Sequence, residues 1–168
     1  MKNPFASLFG PKASTHRVPA APDKPPLREA PRKDDLRVLA SQVMHAEELS
    51  RAAGGVERLV GELHELRSIQ RVLDSKHVEP EATDSLQALG VAFGRVFIKN
   101  NEGYDWCMVQ DEHGRDPAIR YQETSIRVFP KTMISKRVED GVEVDVEALY
   151  EGLQEQLESI RREIDADA

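Results

Sequence analysis

The sequence contains a single cysteine and few aromatic residues. Cys107 cannot form an internal disulfide, and its apolar neighbours favour a buried thiol. Aromatic residues make up 5% of the 168 positions and charged residues 32%, so we expect one domain with a small aliphatic core and an ionised surface. A free cysteine is also typical of the reducing cytoplasm, where we therefore expect the protein.

Long apolar runs and nucleotide-binding loops are also missing. No segment approaches the roughly 18 apolar residues that cross a bilayer, and the N-terminus lacks the apolar stretch of a secretion signal. The net charge of −7 disfavours nucleic acid as a ligand, because phosphate contacts need a concentrated basic surface. Neither a G-x-G-x-x-G pattern nor a phosphate-binding loop occurs, so no cofactor is expected.

Proline is concentrated at the N-terminus. Seven of the ten prolines lie in residues 1–33, which carry seven basic and two acidic side chains. Because proline interrupts helices and strands, we predict a disordered, basic arm over this range. Its apolar residues Phe5, Leu8 and Phe9 could contact a membrane surface or a partner's groove, or they are incidental in a solvated terminus.

Apolar residues at helical spacing predict one α+β domain over residues 34–168. Residues 34–78 are interpreted as a helical hairpin interrupted at Gly54-Gly55. The segment after Pro80 is apolar on more than one face, which predicts a central, buried helix. On that helix Gly90 and Gly94 stand four residues apart. Glycine destabilises a helix relative to alanine, and close packing of another element against the two glycines would justify that cost.

Three strands are predicted to follow, over residues 104–110, 118–122 and 125–129. Pro130 suits the start of a short helix, and residues 145–165 form an acidic amphipathic helix. The predicted fold class is thus α+β: an N-terminal helical hairpin and a central helix packed on a small antiparallel three-stranded sheet, closed by C-terminal helices.

The first candidate site is the polar segment between the first two strands. Asp111 and His113 would share a face, yet two ligands are too few for a zinc or iron centre, so no metal is expected. The types of residue present are those of a hairpin tip, with Gly114 supplying a positive φ. Loops also carry function, and we retain the charged residues as binding candidates: Asp111, Glu112, His113, Arg115 and Asp116.

A second candidate is the basic stretch that begins after Pro130. Lys131, Lys136 and Arg137 predict a positive patch, which would bind an anion or an acidic partner near a helix N-terminus. Alternatively, the acidic last helix lies alongside and neutralises it, which we consider the simpler interpretation. The glutamates of that helix are Glu147, Glu151, Glu155 and Glu158.

Trp106, the only tryptophan, is the third candidate. Its place in the first strand indicates a core residue. A tryptophan can also anchor a ligand in a shallow groove, and we include it among the candidate binding residues for that reason. No catalytic residue is assigned.

Four blocks of sequence together resemble a known family. They are Leu89-Gly90 with Gly94, the Trp106 strand, the acidic turn at 111–116, and the segment from Pro130 to Arg137. In this order they resemble a bacterial family catalogued as a domain of unknown function, catalogue number 3806, over about residues 84–150. The resemblance implies kinship and no activity.

The charge pattern favours a non-enzymatic, cytoplasmic protein-interaction or regulatory domain whose acidic surface steers a basic partner. One alternative is a small hydrolase acting on a phosphorylated or acidic small molecule, with Asp111, His113 and Arg115 gathered beside Lys136 or Arg137. Another is a self-associating scaffold built on the helical hairpin, which would make the protein a homo-oligomer.

Overall fold

The computed structural model describes residues 27–168 and confirms the α+β class. The candidate contact residues Phe5, Leu8 and Phe9 lie outside the described residues. In chain order, the elements are β1 (Leu27–Glu29), α1 (Lys33–Ala52), α2 (Glu65–Asp74), α3 (Thr83–Asn100), β2 (Tyr104–Asp111), β3 (Gly114–Tyr121), β4 (Arg127–Val128), α4 (Pro130–Glu139) and α5 (Val146–Asp167).

The sheet is antiparallel with the order β1-β2-β3-β4. The predicted antiparallel three-stranded sheet is therefore present as β2-β3-β4, and β1 adds a fourth strand. The additional strand β1 pairs Leu27 with Gln110 and Glu29 with Met108. Residues 27–33, which the sequence analysis assigned to the disordered arm, thus belong to the folded domain, because the edge of β2 offers backbone hydrogen bonds that need no alternating side-chain pattern.

The second helix is shorter than predicted. Regular helix begins only at Glu65, and the preceding apolar residues lie in turns and irregular backbone. Gly61 has φ +94°, a value that an α-helix cannot contain. The Glu65 carboxylate accepts hydrogen bonds from the backbone N–H groups of Val60 and Gly61. These bonds stabilise the segment before α2 as a loop.

Helix α3 is the centre of the molecule. Ten of its residues are buried, and it packs against α1, α2 and α4. The predicted close approach at the glycines is confirmed: Gly90 lies against the backbone of Pro130 and Lys131, and Gly94 lies against the Pro130 ring and Trp106. Only a hydrogen atom in place of a side chain allows α4 to come this near.

The two C-terminal helices begin as the sequence predicts. Pro130 occupies the start of α4, and Asp145 caps α5 by accepting from the Ala148 N–H at 2.9 Å. The apolar side of α5, with Leu153 and Leu157 fully buried, packs on the core. Within residues 27–168 the helices are too short or too polar to cross a membrane.

Candidate functional site

The polar segment between β2 and β3 is the tip of a hairpin, as predicted. Asp111 pairs with Gly114, which leaves Glu112 and His113 as a two-residue loop. The Asp111 carboxylate accepts from the His113 N–H at 2.8 Å, and Gly114 has φ +129°. The side chains of Glu112 and His113 are more than 80% exposed, so the tip projects into solvent.

Arg115 points away from the tip and joins three elements. Its guanidinium donates to the Glu29 carboxylate on β1 at 2.7 Å and to both oxygens of Asp35 on α1, at 2.7 and 3.1 Å. The bidentate geometry and partial burial make this a stronger pair than an exposed one. Arg115 holds the pKa of Asp35 at about 2, below its ordinary 3.8, and also lowers the pKa of Glu29.

Substitution of Arg115 should therefore change the acid stability of the fold. Between pH 3.8 and about 2 the unfolded chain binds a proton at Asp35 that the folded chain does not, so stability falls as the pH falls through this window. In Arg115→Gln the pKa of Asp35 returns toward its ordinary value. We expect a flatter dependence of the urea midpoint on pH in this window and lower stability at neutral pH.

Arg37→Gln is the matched control for this experiment. Arg37 pairs with Asp34 at 3.0 Å, but both side chains are at least 79% exposed, and such pairs contribute little. The control should keep the wild-type pH profile. Equal flattening in both variants would contradict the role assigned to Arg115.

The three residues of the basic patch lie in different environments. Lys131 pairs with Asp116 at 3.1 Å, and Lys136 is exposed. Arg137 is half-buried and donates to the Met133 carbonyl at 2.7 Å, and its burial lowers its pKa. The candidates Asp116 and Lys131 thus contact each other instead of forming a common site with the remaining cations.

Helix α5 was expected to neutralise this patch, but among the described residues no ion pair joins the two. The ion pairs of α5 run from Glu147 to Arg67 on α2 and from Glu158 to Arg162 within α5. Helix α5 packs on α2, and its ion pair with another element is formed with that helix. The simpler of the two interpretations of the patch therefore lacks support.

Trp106 lies on the sheet face that packs against α3. It is half-buried and sits beside Gly94 in the main core cluster. On the same face, Ile119 is its cross-strand partner. Its described contacts are those of a packing residue.

The charged candidates do not converge on one cleft. Asp111, Glu112 and His113 are at the solvent-exposed tip, while Arg115 is bound to β1 and α1. Among residues 27–168, no three His, Cys, Asp or Glu side chains are placed to hold a metal ion. The hydrolase hypothesis requires these groups in one cavity, and their positions give it no support.

The most continuous charged surface is the exposed side of α5. The helix contains seven acidic and two basic residues. Glu147, Glu151, Glu155 and Glu158 are all exposed and follow one another at intervals of three or four residues, over about 16 Å of helix. Within the part of the chain that the structure describes, Glu151 and Glu155 take part in no ion pair. We call these four residues the acidic row.

A pocket that the sequence analysis missed lies where α3 ends, β2 begins and α5 passes. It has a volume of about 330 Å³ and is polar. The polar side chains that line it are Asn100, Asn101, Glu102, Tyr104, Gln154, Glu158 and Arg161. No sequence motif joins them, since they come from segments about 50 residues apart.

Fold and surface together define a small α+β domain with a hairpin, a glycine-packed central helix and a strongly acidic last helix. The chain belongs to the family described as Domain of unknown function (DUF3806), which matches residues 65–150. The match confirms the resemblance and begins earlier than the suggested residue 84, so that α2 is included.

A crystal structure at 1.50 Å resolution from Bacteroides thetaiotaomicron VPI-5482 is similar to this chain, with a TM-score of 0.71 and 18% sequence identity. The similarity covers 80% of this chain and 49% of the other, so the chain spans about half the length of that protein. At this identity the similarity supports the fold alone. No curated protein matches the sequence.

Proposed function

We propose that the chain is a non-catalytic protein-interaction or regulatory domain of the cytoplasm, and that the acidic row binds a basic protein partner. The observation that carries the proposal is the exposure of Glu151 and Glu155 without an ion pair among the described residues. The buried, free Cys107 is consistent with the cytoplasm.

The acidic row has a cost that a partner would remove. Glutamates four residues apart on a helix repel one another by a few tenths of a kcal/mol per pair. A basic partner would turn this repulsion into attraction and would be steered toward the row during association. Asp111 and Glu112 at the hairpin tip add further negative charge to the exposed surface.

The test uses a fluorescent lysine-rich peptide as the probe and stopped-flow measurement of its association rate. Neutralising the middle of the row in Glu151→Gln/Glu155→Gln should lower the rate at low salt by about three- to tenfold. High salt should remove most of this difference, because it screens exposed charges.

Glu79→Gln/Glu81→Gln is the control, since it removes the same charge at exposed positions between α2 and α3. It should leave the rate close to the wild-type value. A rate that ignores ionic strength, or an equal loss in both double variants, would count against the acidic row as the binding surface. A pull-down at low and high salt would then seek the natural partner.

Self-association has less support. Leu36, Val38 and Met44 are the exposed large apolar residues of α1. Successive residues of a helix turn by about 100°, so these three do not form one continuous stripe. An interface between copies would need such a stripe.

A further inference from the structure

The pocket between α3, β2 and α5 is lined by Tyr104, whose buried hydroxyl has the Arg161 guanidinium nearby but no well-formed hydrogen bond. Tyr104 is 8% exposed, and among the described residues its hydroxyl oxygen makes no hydrogen bond of good geometry. Its ring is held from two sides, by Phe97 at 5.1 Å and Tyr121 at 4.9 Å between ring centres. The ring is therefore held in place, and Tyr104 is part of the pocket lining, so a small shift of a neighbouring side chain would let a ligand satisfy the hydroxyl.

A cation lies beside this hydroxyl. The Arg161 guanidinium is 4.1 Å from the centre of the Tyr121 ring and lines the same pocket. Burial raises the pKa of Tyr104, and Arg161 opposes that rise, so the group remains a neutral hydroxyl that can donate. Arg161 and Tyr104 together offer donors to an anionic oxygen.

Negative charge lines the remainder of the pocket. Glu102 and Glu158 are both lining residues, and within residues 27–168 the one ion pair of Glu158 is a long, exposed contact to Arg162 at 3.5 Å. The C-terminal end of α3 adds the negative pole of its dipole, which favours a positively charged group. One pocket therefore offers separate positions for an anionic and a cationic group.

The amide side chains of the pocket are already ordered. The Asn101 NH₂ group donates to the Phe97 carbonyl and to the Tyr150 hydroxyl, while its oxygen accepts from Gln154 at 2.8 Å. These bonds fix the pocket wall, so a ligand would not have to order the wall when it binds.

We propose that this pocket binds a free α-amino acid. Its carboxylate accepts from Arg161 and Tyr104, and its ammonium group faces Glu102, Glu158 and the end of α3. A simple anion would meet two glutamates, and a simple cation would meet Arg161. A volume of about 330 Å³ is near the lower end for small-molecule sites. Glu158 belongs to both the acidic row and the pocket, but the proposal does not require that the row binds a partner.

The experiment is a titration of the full chain with each common amino acid at millimolar concentration, followed by NMR of the Asn101 and Gln154 side-chain amides. We expect saturable shifts with at least one amino acid. Acetate and methylamine, each of which carries one of the two charges, should bind at least about tenfold more weakly. Absence of saturable shifts with every amino acid, or equal binding of acetate or methylamine alone, would overturn the proposal.

Tyr104→Phe removes only the hydroxyl. We expect about tenfold weaker amino-acid binding with a Tm close to or above that of the wild type, because a buried hydroxyl without a well-formed hydrogen bond contributes little to stability. If Tyr104 had only a structural role, its substitution would not lower the affinity while leaving the Tm unchanged. Unchanged affinity in this variant would contradict the role of the Tyr104 hydroxyl in binding.

Arg161→Gln should weaken binding by at least tenfold, since it removes a charge-assisted donor. Arg51→Gln, at the exposed end of α1 and outside the pocket lining, should not. An equal effect of both would indicate general electrostatics and would contradict the site. The Glu151→Gln/Glu155→Gln variant should keep its amino-acid affinity, which separates this test from that of the acidic row.

Discussion

Replacing Gly90 by alanine is expected to lower the free energy of unfolding by about 3 kcal/mol. A Cβ atom at this position would overlap the Pro130 carbonyl oxygen and would lie 2.8 Å from that of Lys131. Both atoms belong to the backbone of α4, which cannot rotate away. Helix propensity alone would favour alanine by up to about 1 kcal/mol, so the sign of the measured change tests whether packing or propensity decides.

Urea denaturation of three α3 variants would check this prediction. At Gly94 an added Cβ meets the Pro130 ring at 2.7 Å and the Trp106 ring at 2.8 Å, which are side-chain atoms that can shift, so Gly94→Ala should cost less than Gly90→Ala. Gln87→Ala on the same helix, whose side chain makes no hydrogen bond within residues 27–168, should change stability by no more than about 0.5 kcal/mol. A Gly90→Ala protein as stable as the wild type would contradict the close contact between α3 and α4.

Glu65→Ala is the second variant for which we expect a large loss, of about 3 kcal/mol. Glu65 is 1% exposed, and its carboxylate accepts from the Val60 N–H at 2.7 Å and from the Gly61 N–H at 2.9 and 3.0 Å. Alanine would leave two backbone donors without partners beside a cavity. The Gly61 donor is buried and the Val60 donor part-buried, so water cannot fully relieve the desolvation penalty of losing their acceptor.

Hydrogen exchange at Val60 and Gly61, together with urea denaturation, would measure the effect. Glu65→Gln keeps one acceptor oxygen and should lose less stability than Glu65→Ala, and Glu57→Ala, at an exposed position in the preceding loop, should be nearly neutral. If both amides stay protected in Glu65→Ala, the capping role of this carboxylate is wrong.

The elements that the sequence predicted well are those defined by local chemistry. Helix α3 follows from its apolar pattern and its glycine pair, and the β2–β3 hairpin follows from Asp111 and Gly114 at a turn. Pro130 marks the start of α4 through its missing N–H, whereas the capping carboxylate of Asp145 is a local signal that was not used. In each case the deciding residues lie within a few positions of the feature.

The features that were missed depend on distant partners. Strand β1 is three residues long among prolines and exists because β2 has an open edge. Helix α2 was predicted to begin too early because apolar residues before it keep helical spacing, although Gly61 should have signalled an interruption. Arg115 has its partners 80 and 86 residues away, a pairing that periodicity cannot reveal.

Among the candidate sites, too, the one defined by neighbouring residues was predicted and the one that depends on distant residues was not. The hairpin tip was correctly placed from sequence, whereas the pocket around Tyr104 was not, since Asn101, Tyr104 and Arg161 meet only after α5 packs back on the sheet. An unsatisfied hydroxyl is a property of tertiary structure and leaves no mark in the pattern of residues.

The position of β1 determines which fragments of this protein can be handled in isolation. A fragment trimmed to the family match at 65–150 would lose β1, α1 and most of α5. The outer side of β2 would then present unpaired N–H and C=O groups, and α3 would lose apolar cover, a combination that invites intermolecular strand pairing and precipitation. Expression clones should therefore start upstream of Leu27 and extend through Asp167.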